Sequence, residues 1–167
     1  MHFHLEQSLP GQRDDVVAAF VDPAFFASLQ LLPKVDAPEF LDQQVDGSIV
    51  RQRVRYRFTG QVSSAVTRVI DPKKMVWIDE STYDLTRHRA EFRIIPEHYT
   101  NKLHCSGSYV FEAVGDQTRR LIDGDLRVSV PLVNRPVERA IVSGLEEHLA
   151  DEAEAMRAWL SKGPKTG

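Results

Sequence analysis

The chain alternates apolar and polar positions in short runs, and the period of each run predicts its element. In His2–Leu9, Phe3 and Leu5 alternate with His2 and His4, which predicts a first strand ended by Pro10-Gly11. Gln12–Val21 carries Val16, Val17, Phe20 and Val21 at helical spacing. Asp22-Pro23 restarts a second short helix holding Phe25, Phe26, Leu29, Leu31 and Leu32 and ending near Pro33, because Asp caps well and Pro suits a first turn. Period-two segments then follow at Glu39–Val45, Val50–Phe58, Gln61–Ile70, Met75–Tyr83, Arg87–Ile95, Lys102–Glu112 and Arg120–Val130. Turn residues separate them: Asp46-Gly47, Thr59-Gly60, Asp71–Lys74, Pro96 and Gly115-Asp116. Pro131–Leu160 predicts one long helix, with Asn134 as cap and Pro136 in the first turn. Its stripe is Val137, Ala140, Ile141, Gly144, Leu145, His148, Leu149, Met156 and Leu160, and acidic residues cover most of the rest. Ser161–Gly167 reads as a frayed, disordered tail.

The segment Val50–Val62, VRQRVRYRFTGQV, fixes which side of the sheet is wet. Arg51, Arg53, Arg55 and Arg57 share one face, and four guanidinium groups are not buried side by side without partners. They face water, with their stems covering sheet backbone, or else an anionic ligand or a protein interface. A two-residue turn at Asp46-Gly47 would set Asp42 against Arg51 on that outer face. The opposite face, Val50, Gln52, Val54, Tyr56 and Phe58, is apolar but keeps an amide and a phenol, a mixture suited to a cavity wall. Trp77 has no fixed side. Simple pairing puts it with the arginines; a bulge at Gly60 would send it inward.

Hairpin-length connections make the sheet antiparallel. The last helix is the element long enough to cover a curved sheet. The fold class is therefore α+β: a curved antiparallel sheet of about seven strands around a long C-terminal helix, with two short helices after the first strand. Residues 1–160 form one domain in this reading. Gly107 in a strand and Gly144 on the helix stripe leave space between the two layers.

Composition narrows the function classes. With 167 residues, 42% hydrophobic and 27% charged, the chain reads as an ordinary globular protein. A net charge of −3 argues against a nucleic-acid partner. The N-terminal stretch lacks a signal-peptide pattern, and no apolar run reaches membrane-spanning length, so no stable membrane insertion is expected. The one cysteine, Cys105, fits a reducing, cytoplasmic setting and a small buried hydrophobe.

Chemical motifs are sparse. There is no zinc-spaced Cys/His cluster, nucleophile elbow or glycine-rich phosphate loop, so no metal, cofactor or catalytic residue is assigned. His98 and His104 straddle a loop-to-strand boundary and form a weak metal pattern. His148 lies on the apolar helix stripe, where a polar group needs a partner: a core residue, a ligand contact or a proton shuttle. His88 shares a face with Ala90 and Phe92, as a core residue or a lining residue of the cavity. Asp123 and Asp125 share a strand face, as partners for outer arginines.

The layout resembles the helix-grip fold of the START-like, or SRPBCC, superfamily, closest to an uncharacterised bacterial family within it. The resemblance is carried by HFHLEQSLPGQRDDVVAAFVDPAFFASL, VDGSIVRQRVRYRFTGQV, VIDPKKMVW, GSYVFEAVGDQTRRLIDGDLRVSVP and the acidic C-terminal helix. It implies an internal hydrophobic cavity for a lipid-like or aromatic small molecule. The expected lining is Gln52, Val54, Tyr56, Phe58, Phe92, Tyr109, Phe111, Ile141, Leu145 and His148. Gln52, Tyr56 and His148 would orient the ligand, and Phe25 and Phe26 would close the entrance. The alternatives are a cyclase- or hydrolase-type cavity enzyme shuttling protons through His148 or His88, and an adaptor acting through the Arg51–Arg57 face.

Overall fold

A computed structural model describes residues 1–30 and 32–163 of the chain. Seven strands form one antiparallel sheet: β1 (His2–Leu9), β2 (Glu39–Asp46), β3 (Ile49–Arg57), β4 (Val76–Asp84), β5 (Arg89–Pro96), β6 (Leu103–Val114) and β7 (Gln117–Val128). Their spatial order is β1-β7-β6-β5-β4-β3-β2. Two short helices, α1 (Arg13–Phe20) and α2 (Pro23–Ser28), follow β1, and α4 (Asn134–Ser161) ends the described chain. Asp22 caps α2 by accepting from the Ala24 amide at 2.8 Å. Leu31 and residues 164–167, the end of the expected tail, lie outside the described residues.

One expected strand is absent. Residues 61–70 form a loop around a single helical turn, α3 (Ser64–Thr67). Val62, Val66, Val69 and Ile70 are β-branched, which imitates a strand, but their spacing is helical. Ser63 decides the outcome by capping the turn, its Oγ accepting from the Val66 amide at 3.4 Å. β3 therefore pairs directly with β4, and Tyr56 lies opposite Trp77. Trp77 takes the inner face.

The first hairpin is shifted by two in register. Asp46 pairs with Ile49, so Gly47-Ser48 is the loop, with Gly47 at φ 59°. Asp42 consequently faces Arg53, not Arg51, and Arg53 Nε donates to Asp42 Oδ2 at 2.9 Å. The helix start also differs. Val133 occupies the cap position without a side-chain bond, and Asn134 is already helical.

On the inner side, Gly107 on β6 lies directly opposite Gly124 on β7. A Cβ on Gly124 would come within 2.6 Å of the Phe3 ring, and one on Gly107 within 2.1 Å of the Asp123 carbonyl oxygen. The missing side chains let these backbones and rings approach closely. Gly107 thus admits close packing where open space is expected.

The buried residues form two clusters. One gathers Phe20, Phe25, Phe26 and Phe111 beneath α1 and α2, with Trp159 of α4 against it. The other gathers Phe3, Phe92, Ile122 and Leu126 with α3 and the first half of α4.

Candidate functional site

The inner face of the sheet carries a polar group between the two apolar clusters. Arg120 enters on β7, at inner parity between Thr118 and Ile122. Its side chain is 4% exposed, and its Nη2 donates to Glu152 Oε1 on α4 at 2.5 Å. The guanidinium lies between two rings, 4.5 Å from the Phe20 centroid and 4.9 Å from that of Tyr109. Gln7 on β1 completes the junction, its amide donating to the Leu149 carbonyl at 2.7 Å and to Glu152 Oε1 at 3.2 Å. Burial opposes ionisation of Glu152, but Arg120, His148 and Gln7 together hold its carboxyl below the usual range. The pair is ionised and compensated.

Asp79 on β4 is different. Its Oδ1 accepts from the Ser81 hydroxyl at 2.5 Å, and among the described residues no hydrogen bond reaches Oδ2. Burial pushes its carboxyl up to about 6, against the Ser81 bond and the Arg120 charge. Neighbouring Tyr56, Tyr83 and Tyr109 are raised, chiefly by burial; the Asp79 charge adds to this and the Arg120 charge opposes it. Asp79 can exchange a proton near neutrality; the tyrosines stay protonated and can only donate or accept hydrogen bonds.

These groups border a groove. α4 approaches the sheet mainly at β1 and β7. On the far side, Trp77, Asp79, Ile94, Cys105 and Tyr109 lie on the concave face yet keep accessible surface. Facing them, Ile141, Leu145 and His148 of α4 are also partly open, and a Cβ on Gly144 would meet no atom within 4 Å. The space expected beside Gly144 is present. Stacked ring pairs flank Asp79: Tyr56 on Trp77, centroids 5.7 Å apart, and Phe92 on Tyr109 at 4.6 Å. His148 meets the Tyr56 ring edge-on at 6.3 Å, with Nε2 4.0 Å from Glu152 and Nδ1 unpartnered.

The structure thus gathers Tyr56, Phe92, Tyr109, Ile141, Leu145 and His148 around one groove. Val54 is buried on its floor, opposite Asp79. Phe111 packs with Phe20 and Tyr83 in the core, and Phe58 bridges Val35 beyond the end of β3. The Gln52 amide donates to the Phe20 carbonyl at 2.8 Å, so its donor serves the fold. Phe25 and Phe26 are buried against Trp159 and Phe40, sealing one end instead of forming an entrance.

His88 is corrected outright. It sits in the β4–β5 turn at φ 53°, with Nε2 2.8 Å from Asp14, away from the groove. His98 and His104 are exposed, and among the described residues no group of three or more His, Cys, Asp or Glu is placed to hold a metal. Asp123 and Asp125 lie within 3.4 Å of the rings of His2 and His4, in place of arginine partners. Arg53 and Arg55 pair with Asp42 and Glu97, and Arg57 Nε lies 3.8 Å from Asp36.

Sequence reasoning missed Asp79, Arg120 and Glu152, although signals existed. Arg120 is a charge at apolar parity, and Glu152 falls four residues from both His148 and Met156 on the helix stripe. Asp79 becomes visible only once the face of Trp77 is known.

A curved sheet closed over a long C-terminal helix, with a groove between them, defines a helix-grip fold. Solved structures agree on the fold. A START superfamily protein from Mycobacterium smegmatis matches with a TM-score of 0.57 at 16% identity, covering 93% of this chain and 95% of that one. Norcoclaurine synthase from Thalictrum flavum matches with a TM-score of 0.64 at 16% identity, covering 96% and 86%. The Zhui aromatase/cyclase from Streptomyces sp. R1128 matches with a TM-score of 0.61 at 15% identity, covering 98% of each chain. Within this class the chain belongs to the DUF2505 family, described as a protein of unknown function, which matches residues 4–160. No curated protein matches the sequence. No helix among the described residues is long and apolar enough to cross a membrane.

Proposed function

We propose that the protein binds a hydrophobic or lipid-like small molecule in the groove between the sheet and α4. The observation that supports this best is the partly open inner face. Trp77, Ile94 and Tyr109 on the sheet, and Ile141 and Leu145 on the helix, keep accessible apolar surface where a closed core would leave none. Relatives of this fold include START and aromatase/cyclase proteins, which supports a small-molecule role. Native mass spectrometry of protein purified from its own host, followed by organic extraction, tests the reading. A stoichiometric apolar molecule is expected. A clean apo mass, together with failure of apolar probes to bind at millimolar concentration, would refute it.

A cavity enzyme is the second reading. It rests on Asp79, which can exchange a proton near neutrality, and on the unpartnered His148 Nδ1 in the same groove. A pH–rate profile that loses one limb in Asp79→Asn or His148→Gln would favour it. The adaptor reading is weakened, because carboxylates face three of its four arginines.

A further inference from the structure

We infer that the groove selects hydrophobic amines, with the ligand's protonated nitrogen against Asp79 and its apolar body along the flanking aromatic pairs. This rests on the groove-binding reading above and adds the charge of the occupant.

The argument is a charge balance. The groups around Asp79 come from every element that packs there. β3 supplies Tyr56, and β4 itself supplies Ser81 and Tyr83. β5 supplies only apolar Phe92 and Ile94, β6 supplies Tyr109 and Cys105, and β7 supplies Arg120. α4 supplies Glu152 and His148. Among the described residues, the one permanent cation in this group is Arg120, held at 2.5 Å by Glu152. Its attraction for Asp79 is opposed by the repulsion from that same carboxylate. Asp79 is therefore a surplus negative charge on an apolar wall, with one donor, Ser81, on one oxygen.

Three occupant classes fare differently. An anion would add like charge beside Asp79. A neutral molecule would leave the carboxylate unmatched or require it to take up a proton. An ammonium supplies both the countercharge and N–H donors for the free Oδ2. The electron-rich ring of Trp77, the partly exposed member of the Tyr56–Trp77 stack, suits a cation beside it as well.

The test uses three naphthalene probes of one shape on the whole protein: 2-(1-naphthyl)ethylamine, 2-(1-naphthyl)ethanol and 1-naphthylacetate. At pH 7.5 the amine should bind at least about tenfold more tightly than the alcohol, as a charge-assisted hydrogen bond implies. The preference should fade by pH 5, as Asp79 takes up a proton. Asp79→Asn should abolish both the preference and its pH step while leaving the alcohol bound. If the alcohol or the acid binds as tightly as the amine, the charge inference falls and the groove reading stands. If the pH step survives in Asp79→Asn, the assignment to Asp79 is overturned. If no probe binds at millimolar concentration, both readings fall. Carbon-13 NMR of the Asp79 carboxyl in wild-type protein is an independent check: the bound amine should lower its titration midpoint, and an unmoved midpoint counts against the inference.

Discussion

Asp79 imposes a cost on the fold that can be measured. Its carboxyl titrates near 6 in the native state, against about 3.9 in an unfolded chain. Between those values the folded protein binds more protons than the unfolded one. Stability therefore falls as pH rises through about 4 to 6 and stays reduced above that window. Asp79→Asn should be more stable than wild type at pH 8, by about 1–3 kcal/mol, with the difference vanishing below about pH 4. Urea unfolding across that range reads the sign directly. The Arg120–Glu152 pair behaves in the opposite sense. Removing one partner strands a buried charge, so Glu152→Gln should lose about 3–5 kcal/mol. Arg120→Met in the Glu152→Gln background should recover much of it. At this scale the apolar lining was legible in the sequence, because parity and helical stripe place Tyr56, Tyr109 and Leu145 inward. The buried charges were not. A charged residue reads as solvated until the element opposite it is known, and Arg120 and Glu152 lie 32 residues apart.

Among the elements, α3 shows how β-branched residues mislead. Four Val and Ile positions carry strand propensity, yet one serine cap and helical spacing win. Ser63→Ala should cost about 1 kcal/mol and speed amide exchange over residues 64–70, as read by native-state hydrogen exchange. The facing glycines of β6 and β7 give a second prediction. Gly124→Ala meets a phenyl ring that can shift; Gly107→Ala meets a carbonyl oxygen that cannot. Gly107→Ala should be the more destabilising, beyond the roughly 1–3 kcal/mol of ordinary overpacking. Thermal unfolding of the two variants side by side checks the order. Turn chemistry located the first hairpin, but its register depended on where the positive φ fell, and Gly47 alone does not fix that.

For the whole molecule, the two faces of the sheet have separate tasks. The outer face carries ion pairs such as Arg55–Glu97 at 2.7 Å, while the groove lies on the inner face. Binding of an apolar probe should therefore change little between 50 and 500 mM salt, because the arginine charges take no part and contacts inside the groove are weakly screened. Titration calorimetry at the two salt concentrations decides it. The architecture was legible because strand period, turn residues and one long amphipathic helix all pointed to the same layered solution. The strand order carries a further consequence, for the making of the chain. β1 is synthesised first, yet it can pair only with β7, and His2 and Asp125 are separated by 123 positions. At about 5–20 residues per second, that interval lasts roughly 6–25 s on a ribosome. Phe3, Leu5 and Leu9 must wait through it unpaired, so the newborn chain is exposed to aggregation and to chaperones until the seventh strand arrives.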